Sequence, residues 1–162
     1  MESAFEETLS EPVASFGQGC EPSHAPSGPQ FGELSPHDLG RRGEDAAVSS
    51  LLARGWQILA RNWRCTEGEV DIIAKDPDGE LVFVEVKTRS AFRPGVVQDH
   101  EVIPEEAVDE AKRTRYARCA SLFLRSAPYF DRVRFDVIGI TATKPGWAHL
   151  HHIGGAFEGD DL

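Results

Sequence analysis

The sequence has few cysteines and no long apolar run. Its 162 residues contain three cysteines, Cys20, Cys65 and Cys119, which are widely spaced and odd in number. This spacing offers neither a zinc-ligand pattern nor a disulfide framework, and it fits a cytoplasmic protein in a reducing compartment. No apolar stretch approaches the ~20 residues that a membrane helix needs, so the sequence excludes a membrane-spanning protein. A basic segment followed by an apolar one is also missing from the N-terminus, so we expect no secretory signal.

Lysine and arginine are absent from the first 40 positions, which hold seven acidic residues. The net charge is −10, but residues 41–157 contain 17 basic and 17 acidic residues, so the body of the chain is neutral. The acidic composition therefore does not exclude an anionic ligand such as a nucleic acid. Pro, Gly and Ser fill 16 of the first 40 positions, which predicts disorder. We predict a disordered acidic leader over residues 1–34, a folded domain over 35–157 and an acidic tail over 158–162.

Helix and strand signals alternate along the predicted domain. The first helix begins with a Ser35–Pro36 cap and is expected to stop before Gly55, and the second is predicted over residues 109–125. Asp76-Pro77-Asp78-Gly79 forms a turn between two strands. The predicted order α-β-β-β-α-β-β indicates a small α/β domain, with a mixed β-sheet flanked by helices. The five predicted strands cover residues 56–64, 70–74, 81–86, 132–140 and 149–153.

The hairpin around this turn gathers four charged side chains. A tip centred on Asp78 places Asp71 opposite Glu85. The same register places Glu69 opposite Lys87, and strand alternation puts all four side chains on one face. Opposed carboxylates repel each other, and a divalent cation would offset that repulsion. The alternative is a solvated patch in which Glu69 and Lys87 form an ordinary cross-strand pair and no metal binds.

The two helices and several arginines add to this pattern. Glu44 lies in the middle of the apolar arc of the first helix, where a carboxylate is costly to bury unless it is paired or bound to a metal. It can instead be a surface residue near the helix N-terminal dipole. Lys112 shares a side of the second helix with Tyr116, and it either binds phosphate or lies along the edge of the core. Arginine matches phosphate geometry well. The candidate nucleic-acid-binding residues are Arg41, Arg42, Arg64, Arg89 and Lys112.

Six short blocks of sequence, taken with the distances between them, match a pattern known from one protein family. They are residues 43–44 (GE), 55–64 (GWQILARNWR), 68–74 (GEVDIIA), 82–89 (VFVEVKTR), 134–137 (RFDV) and 152–157 (HIGGAF). Together they closely resemble the bacterial YraN-like family, over about residues 38–157. That family is similar in fold to the PD-(D/E)xK nucleases, a restriction-endonuclease-like group that includes archaeal Holliday-junction resolvases. The resemblance therefore implies a restriction-endonuclease-like mixed sheet flanked by helices.

The same resemblance implies a function and a set of catalytic residues. Asp71 corresponds to the motif aspartate, and Glu85 and Lys87 correspond to the (D/E)xK element. Glu44 corresponds to the acidic residue of the preceding helix. The implied activity is a nuclease that hydrolyses phosphodiester bonds in DNA, with branched or flapped DNA as candidate substrates. The implied cofactor is Mg²⁺ or Mn²⁺, held by Asp71, Glu85 and Glu44.

Two questions stay open at the level of the sequence. A non-catalytic module of the same fold would bind nucleic acid with these residues and leave it uncut. The sequence also leaves the oligomeric state open, with a homodimer among the options. For Lys87 we favour an electrostatic role over that of a base, because a base would need a lowered pKa.

Overall fold

Two helices and six strands make up the computed structural model over the residues it describes, which are 6–7, 35–90, 110–144 and 147–157. From residue 35 onward their order is α-β-β-β-α-β-β, which confirms the prediction. The helices are α1 (Pro36–Ala53) and α2 (Glu110–Leu124). The strands are β1 (Glu6–Glu7), β2 (Gln57–Cys65), β3 (Gly68–Lys75), β4 (Leu81–Ser90), β5 (Val133–Lys144) and β6 (Trp147–Phe157).

The strands form one mixed sheet in the order β1-β6-β5-β4-β3-β2. β4 and β5 pair in parallel, whereas the other neighbouring strands pair antiparallel. The β3–β4 hairpin has the predicted register, with Lys75 opposite Leu81. Asp76 fixes its turn, because its Oδ1 accepts hydrogen bonds from the backbone N–H groups of Asp78 and Glu80 at 3.0 and 2.9 Å.

The two helices pack on opposite faces of this sheet. α1 places Ala47 and Leu51 against a core that contains Val82 and Val84 of β4. α2 places Tyr116 against a second core on the other face, which contains Leu81 and Phe83 of the same strand. Because successive residues of β4 point to opposite faces, both of its faces must be apolar. The molecule is therefore a three-layer α/β/α domain.

The start of α1 follows the predicted capping pattern. Ser35 Oγ accepts a hydrogen bond from the Asp38 N–H at 3.1 Å, and Pro36 occupies the first turn, where a missing N–H has no consequence. The helix ends at Ala53, and Gly55 follows with a φ of +83°, a conformation that glycine adopts without strain. None of the helices among the described residues combines the length and the apolarity required to cross a membrane.

Four of the five predicted strands, β3 to β6, are longer in the structure than predicted, and β6 differs most. β6 runs over Trp147–Phe157, longer than the predicted 149–153, because it pairs with β5 from Lys144 back to Phe135. In the predicted leader, Glu6 and Glu7 form a short strand that pairs with β6. The edge of β6 offers these two residues backbone hydrogen-bonding groups. The remainder of residues 1–34 and the tail over 158–162 lie outside the described part of the chain.

Candidate functional site

The site begins where β3 parts from β4. Counted from the hairpin turn, the ladder between these strands ends at the pair Ile72–Val84. Asp71, the next residue of β3 in this direction, is not part of the ladder. At Asp71 the strict alternation of β3 also breaks, since Val70 packs in the α2-side core and Ile72 packs in the α1-side core. The Val86 N–H donates to Asp71 Oδ2 at 2.8 Å, so a side chain replaces the missing backbone acceptor. Asp71 and Glu85 therefore meet at a fork between strands and not as a ladder pair.

Glu85 lies at the centre of a hydrogen-bonded cluster, with only 4% of its surface exposed. Lys87 Nζ donates to its Oε1 at 2.9 Å, and Lys112 Nζ donates to the same oxygen. The Tyr116 hydroxyl donates to Oε2 at 2.5 Å. Burial by itself would raise the pKa of Glu85, but the hydrogen bonds from Lys112, Tyr116 and Lys87 lower it below its ordinary value. Glu85 is therefore an ionised carboxylate held between two ammonium groups.

Asp71 has the opposite electrostatic character. Its pKa is raised from 3.8 to about 7, first by burial and second by the negative charge of Glu85. The Val86 N–H and the Lys112 ammonium pull this pKa down, while the charge of Glu44 raises it. A carboxylate whose charge is disfavoured by its surroundings is one that an added cation would stabilise.

The pKa values of the two lysines are shifted in opposite directions. Burial disfavours the ammonium of Lys87, but the hydrogen bond and charge of Glu85 outweigh this and raise its pKa above the ordinary value. The pKa of Lys112 is lowered, first by burial and further by Lys87, with Glu85 acting against both. Lys112, predicted from the sequence to contact nucleic acid, is thus a member of the carboxylate cluster.

The predicted pairing of Glu69 with Lys87 is wrong. Glu69 lies opposite Arg64 in the β2–β3 ladder, and Arg64 Nε donates to Glu69 Oε2 at 3.0 Å. The physical reason is the early end of the β3–β4 ladder, which removes Glu69 from its expected place. Lys87 pairs instead with Glu85, two residues away on the same strand.

Glu44 approaches the site because α1 packs closely on β4. A Cβ atom at Gly43 would lie 1.8 Å from Thr88 Oγ1, so only a glycine allows this approach. Glu44 Oε2 accepts a hydrogen bond from Asn62 Nδ2 at 3.0 Å. Within the described ranges, no three His, Cys, Asp or Glu side chains form a group that could hold a metal ion. The predicted metal set of Asp71, Glu85 and Glu44 is therefore not such a group, and of the two carboxylates that act on Asp71, Glu85 acts more strongly than Glu44.

A polar cleft of about 700 Å³ lies between the start of α1 and the β2–β3 hairpin. Two of the predicted nucleic-acid-binding residues, Arg41 and Arg64, line this cleft together with Glu44. Arg61 also lines it and pairs with Asp45 at 2.6 Å. Of the other candidates, Arg42 is half-buried on α1 and Arg89 is exposed near the end of β4. The structure thus brings some of the predicted arginines to one cleft and leaves others outside it.

Sequence reasoning missed two residues of the site. Tyr116 was placed on the same side of the helix as Lys112, and this spacing of four residues was the signal that both contact the same carboxylate. Asn62 had no such signal. It adopts a φ of +48° within β2, and its amide reaches Glu44 only because α1 crosses the hairpin there.

The last two blocks of the family resemblance build a separate polar network on the α1 side of the sheet. Asp136 is fully buried and accepts from Arg134 Nε at 2.9 Å. It also lies 2.8 Å from His152 Nε2. Arg54 donates to His152 Nδ1 at 2.6 Å, and since arginine has no acceptor, the ring proton must lie on Nε2 and point to Asp136. This network ties β5, β6 and the end of α1 together.

Sequence comparison finds proteins that are similar to this one over most of its length. Residues 43–140 match the profile of the Uncharacterised protein family UPF0102. A UPF0102 protein of Frankia casuarinae is 44% identical over 120 residues, which cover 74% of this chain and 95% of that protein. A UPF0102 protein of Prosthecochloris aestuarii is 48% identical over 111 residues, covering 67% of this chain and 80% of its own. One from Dictyoglomus thermophilum is 41% identical over 122 residues, covering 72% and 97%.

Among solved structures, the chain is similar to SfsA of Pyrococcus furiosus in complex with Ca²⁺. The identity is 16%, the TM-score is 0.35, and the match covers 76% of this chain and 66% of that one.

Proposed function

The chain belongs to the uncharacterised protein family UPF0102, and from the geometry of its charged cluster we propose that it is a metal-dependent nuclease that hydrolyses phosphodiester bonds in DNA. The observation that carries the proposal is the meeting of Asp71, Glu85 and Lys87 at the fork between β3 and β4. These residues stand at the positions of the D…ExK motif that the sequence resembles. The cysteines, only three and odd in number, support a cytoplasmic location as part of the same proposal.

The proposed cofactor is Mg²⁺ or Mn²⁺. Both ions prefer carboxylate oxygens, and Mg²⁺ commonly takes one or two carboxylates and completes its shell with water and phosphate. Asp71 and Glu85 fit this pattern, because burial beside Glu85 disfavours the charge of Asp71 and a divalent cation would favour it. Asp71 and Glu85 would hold the ion, and Glu44 would act through a water molecule. The bound ion would supply Lewis-acid polarisation of the phosphodiester and lower the pKa of water.

Lys87 supplies a fixed positive charge in this proposal. Its pKa is raised above the ordinary value, since Glu85 outweighs the effect of burial, so Lys87 keeps its proton at neutral pH. An ammonium in this position stabilises the charge that develops on the phosphoryl oxygens. Lys112 and Tyr116 hold Glu85 in place and ionised in the absence of an ion, and Tyr116, bonded to the second oxygen, acts as a positioning residue.

The cleft, which reaches the cluster through Glu44, whose charge acts on Asp71, gives a DNA strand a place to lie. Arg41 and Arg64 line it, and guanidinium groups match phosphate oxygens in a bidentate geometry. The first turn of α1 also lines the cleft, and the N-terminus of a helix favours negative charge. Branched or flapped DNA is the proposed substrate within this class.

A second candidate is a nucleic-acid-binding module that does not cleave. It is favoured by the state of Glu85, whose charge is already balanced by Lys87 and Lys112 and whose second oxygen is bonded to Tyr116. Such a cluster holds together without a metal ion.

The test is nicking of branched, flapped and single-stranded DNA by the full chain in the presence of Mn²⁺, Mg²⁺ or Ca²⁺. We expect the wild type to nick DNA with Mn²⁺, and Asp71→Ala and Asp71→Asn to lose this activity. The matched control is Asp78→Asn, which removes an exposed carboxylate from the hairpin turn and is expected to nick normally. Equal nicking by the wild type and Asp71→Ala would reject the assignment. DNA binding without nicking in any of the three ions would support the binding module.

A further inference from the structure

Two thiols from distant parts of the sequence lie together between β2 and α2. Cys65 is the last residue of β2, and Cys119 lies in the second half of α2. Their sulfur atoms are 3.3 Å apart, and both cysteines are free. Cys119 is fully buried, whereas Cys65 is partly exposed.

The packing around the two thiols holds them in place. Trp63, two residues before Cys65 on β2, contacts Phe123, one turn after Cys119 on α2, with ring centroids 5.5 Å apart. This edge-to-face contact fixes α2 against β2 beside the sulfur pair. The short sulfur distance therefore follows from the packing of two elements and not from one mobile side chain.

We propose that Cys65 and Cys119 form a modification site that closes into an intramolecular disulfide on reaction with a low-molecular-weight disulfide. The sulfurs of a disulfide are about 2.05 Å apart, so the two atoms must approach by roughly 1.3 Å. Small rotations of the two side chains provide a movement of this size. The inference is independent of the proposed nuclease activity.

The reaction proceeds in two exchanges. Cys65, the more accessible thiol, loses its proton and attacks one sulfur of the small disulfide, which releases one small thiol and leaves a mixed disulfide on Cys65. Cys119 then loses its proton and attacks Cys65 Sγ, which releases the second small thiol. Two protein thiols are oxidised, and the small disulfide is reduced to two thiols.

Burial sets the order of these exchanges. It raises the pKa of the Cys119 thiol to about 12, and the neighbouring Cys65 adds to this effect. A thiol of this kind is a poor first nucleophile, because the thiolate is the reactive form. Its attack on a mixed disulfide next to it is intramolecular, so closure follows the first exchange.

The disulfide would join the helix that contacts Glu85 to the edge of the sheet. Cys119 lies one turn after Tyr116 and two turns after Lys112, and both of these residues donate to Glu85. Closure would therefore fix the position of α2 relative to the β2–β3 hairpin. We expect the oxidised protein to have a higher melting temperature, by roughly 5–10 °C.

The experiment equilibrates the native full chain with glutathione and glutathione disulfide at several ratios. Free thiols are then blocked by alkylation, and the disulfides are mapped by mass spectrometry. We expect a peptide that links Cys65 to Cys119, removed by dithiothreitol, and the higher melting temperature. Cys20→Ser is the matched control, because it removes the third cysteine and should leave the link unchanged. Cys65→Ser should abolish it.

Three results would overturn the proposal. The first is full alkylation of both Cys65 and Cys119 at every ratio. The second is a mixed disulfide on Cys65 that does not close. The third is a Cys65–Cys119 link that lowers the melting temperature, since such a link would strain the folded chain.

Discussion

Replacing Asp71 by asparagine should make the metal-free protein more stable at neutral and alkaline pH. Burial and the charge of Glu85 raise the pKa of Asp71 from 3.8 to about 7. Between these two pH values the native chain keeps a proton on Asp71 that the unfolded chain has released. The free energy of unfolding therefore falls as the pH rises through this window and stays lower above it. Asparagine carries no charge at any pH, so the variant lacks this loss.

The expected magnitude follows from the difference in pKa. A difference of about three is equivalent to about 4 kcal/mol, at about 1.36 kcal/mol for each pH unit. Asp71 is partly exposed, and solvent screening reduces this figure. The side-chain carbonyl of asparagine can still accept the hydrogen bond from the Val86 N–H. We therefore expect Asp71→Asn to stabilise the protein by about 1–3 kcal/mol at pH 8 and to have little effect near pH 4.

The assay is urea unfolding of the wild type and of Asp71→Asn at a series of pH values from 4 to 9, with EDTA present. The quantity of interest is the difference between the two free energies of unfolding at each pH, because other titrating groups cancel in it. Asp78→Asn is the control and should give a difference near zero throughout. A variant less stable than the wild type at pH 8, or a difference that does not change with pH, would refute the electrostatic account of Asp71.

Three further predictions concern the same region. Tyr116→Phe removes a hydrogen bond to a buried carboxylate and should lower the free energy of unfolding by about 1.5–3 kcal/mol. The control Tyr129→Phe, at a residue 74% exposed, should change it by less than about 0.5 kcal/mol. Equal effects of the two substitutions would contradict the assigned bond. Gly43→Ala should destabilise the protein by about 1–3 kcal/mol, because the added Cβ meets Thr88. Gly40→Ala should instead stabilise α1 by about 1 kcal/mol, because no atom lies within 4 Å of the added Cβ. Mn²⁺ at about 100 times its dissociation constant should stabilise the wild type by about 2.7 kcal/mol and leave Asp71→Asn nearly unchanged, as thermal unfolding would measure; equal stabilisation of both would place the ion elsewhere.

Local signals predicted much of the fold. Ser35 and Pro36 predicted the start of α1, and Asp78 at the hairpin tip predicted a register that the structure confirms as far as Ile72. These features depend on neighbours in the sequence, so the sequence contains enough information to place them.

The fine structure of the site depends on contacts that no local pattern encodes. The ladder between β3 and β4 ends before Asp71, and so the sequence could not show that Glu69 pairs with Arg64. Lys112 contacts Glu85 because α2 packs against the sheet beside it, although the two residues are 27 positions apart in the sequence. The meeting of Cys65 with Cys119 has the same origin, since it reflects how α2 packs on β2.

Crystals of the protein soaked in Mn²⁺ offer the most direct test of the central claim, that Asp71 and Glu85 together bind a divalent cation. The measurement is the anomalous difference density at the fork between β3 and β4. We predict a peak about 2.0–2.2 Å from an oxygen of each carboxylate, with Lys112 moved away from Glu85 to make room for the ion. A fully soaked crystal with no peak at this position, and with Lys112 still bonded to Glu85, would contradict the claim.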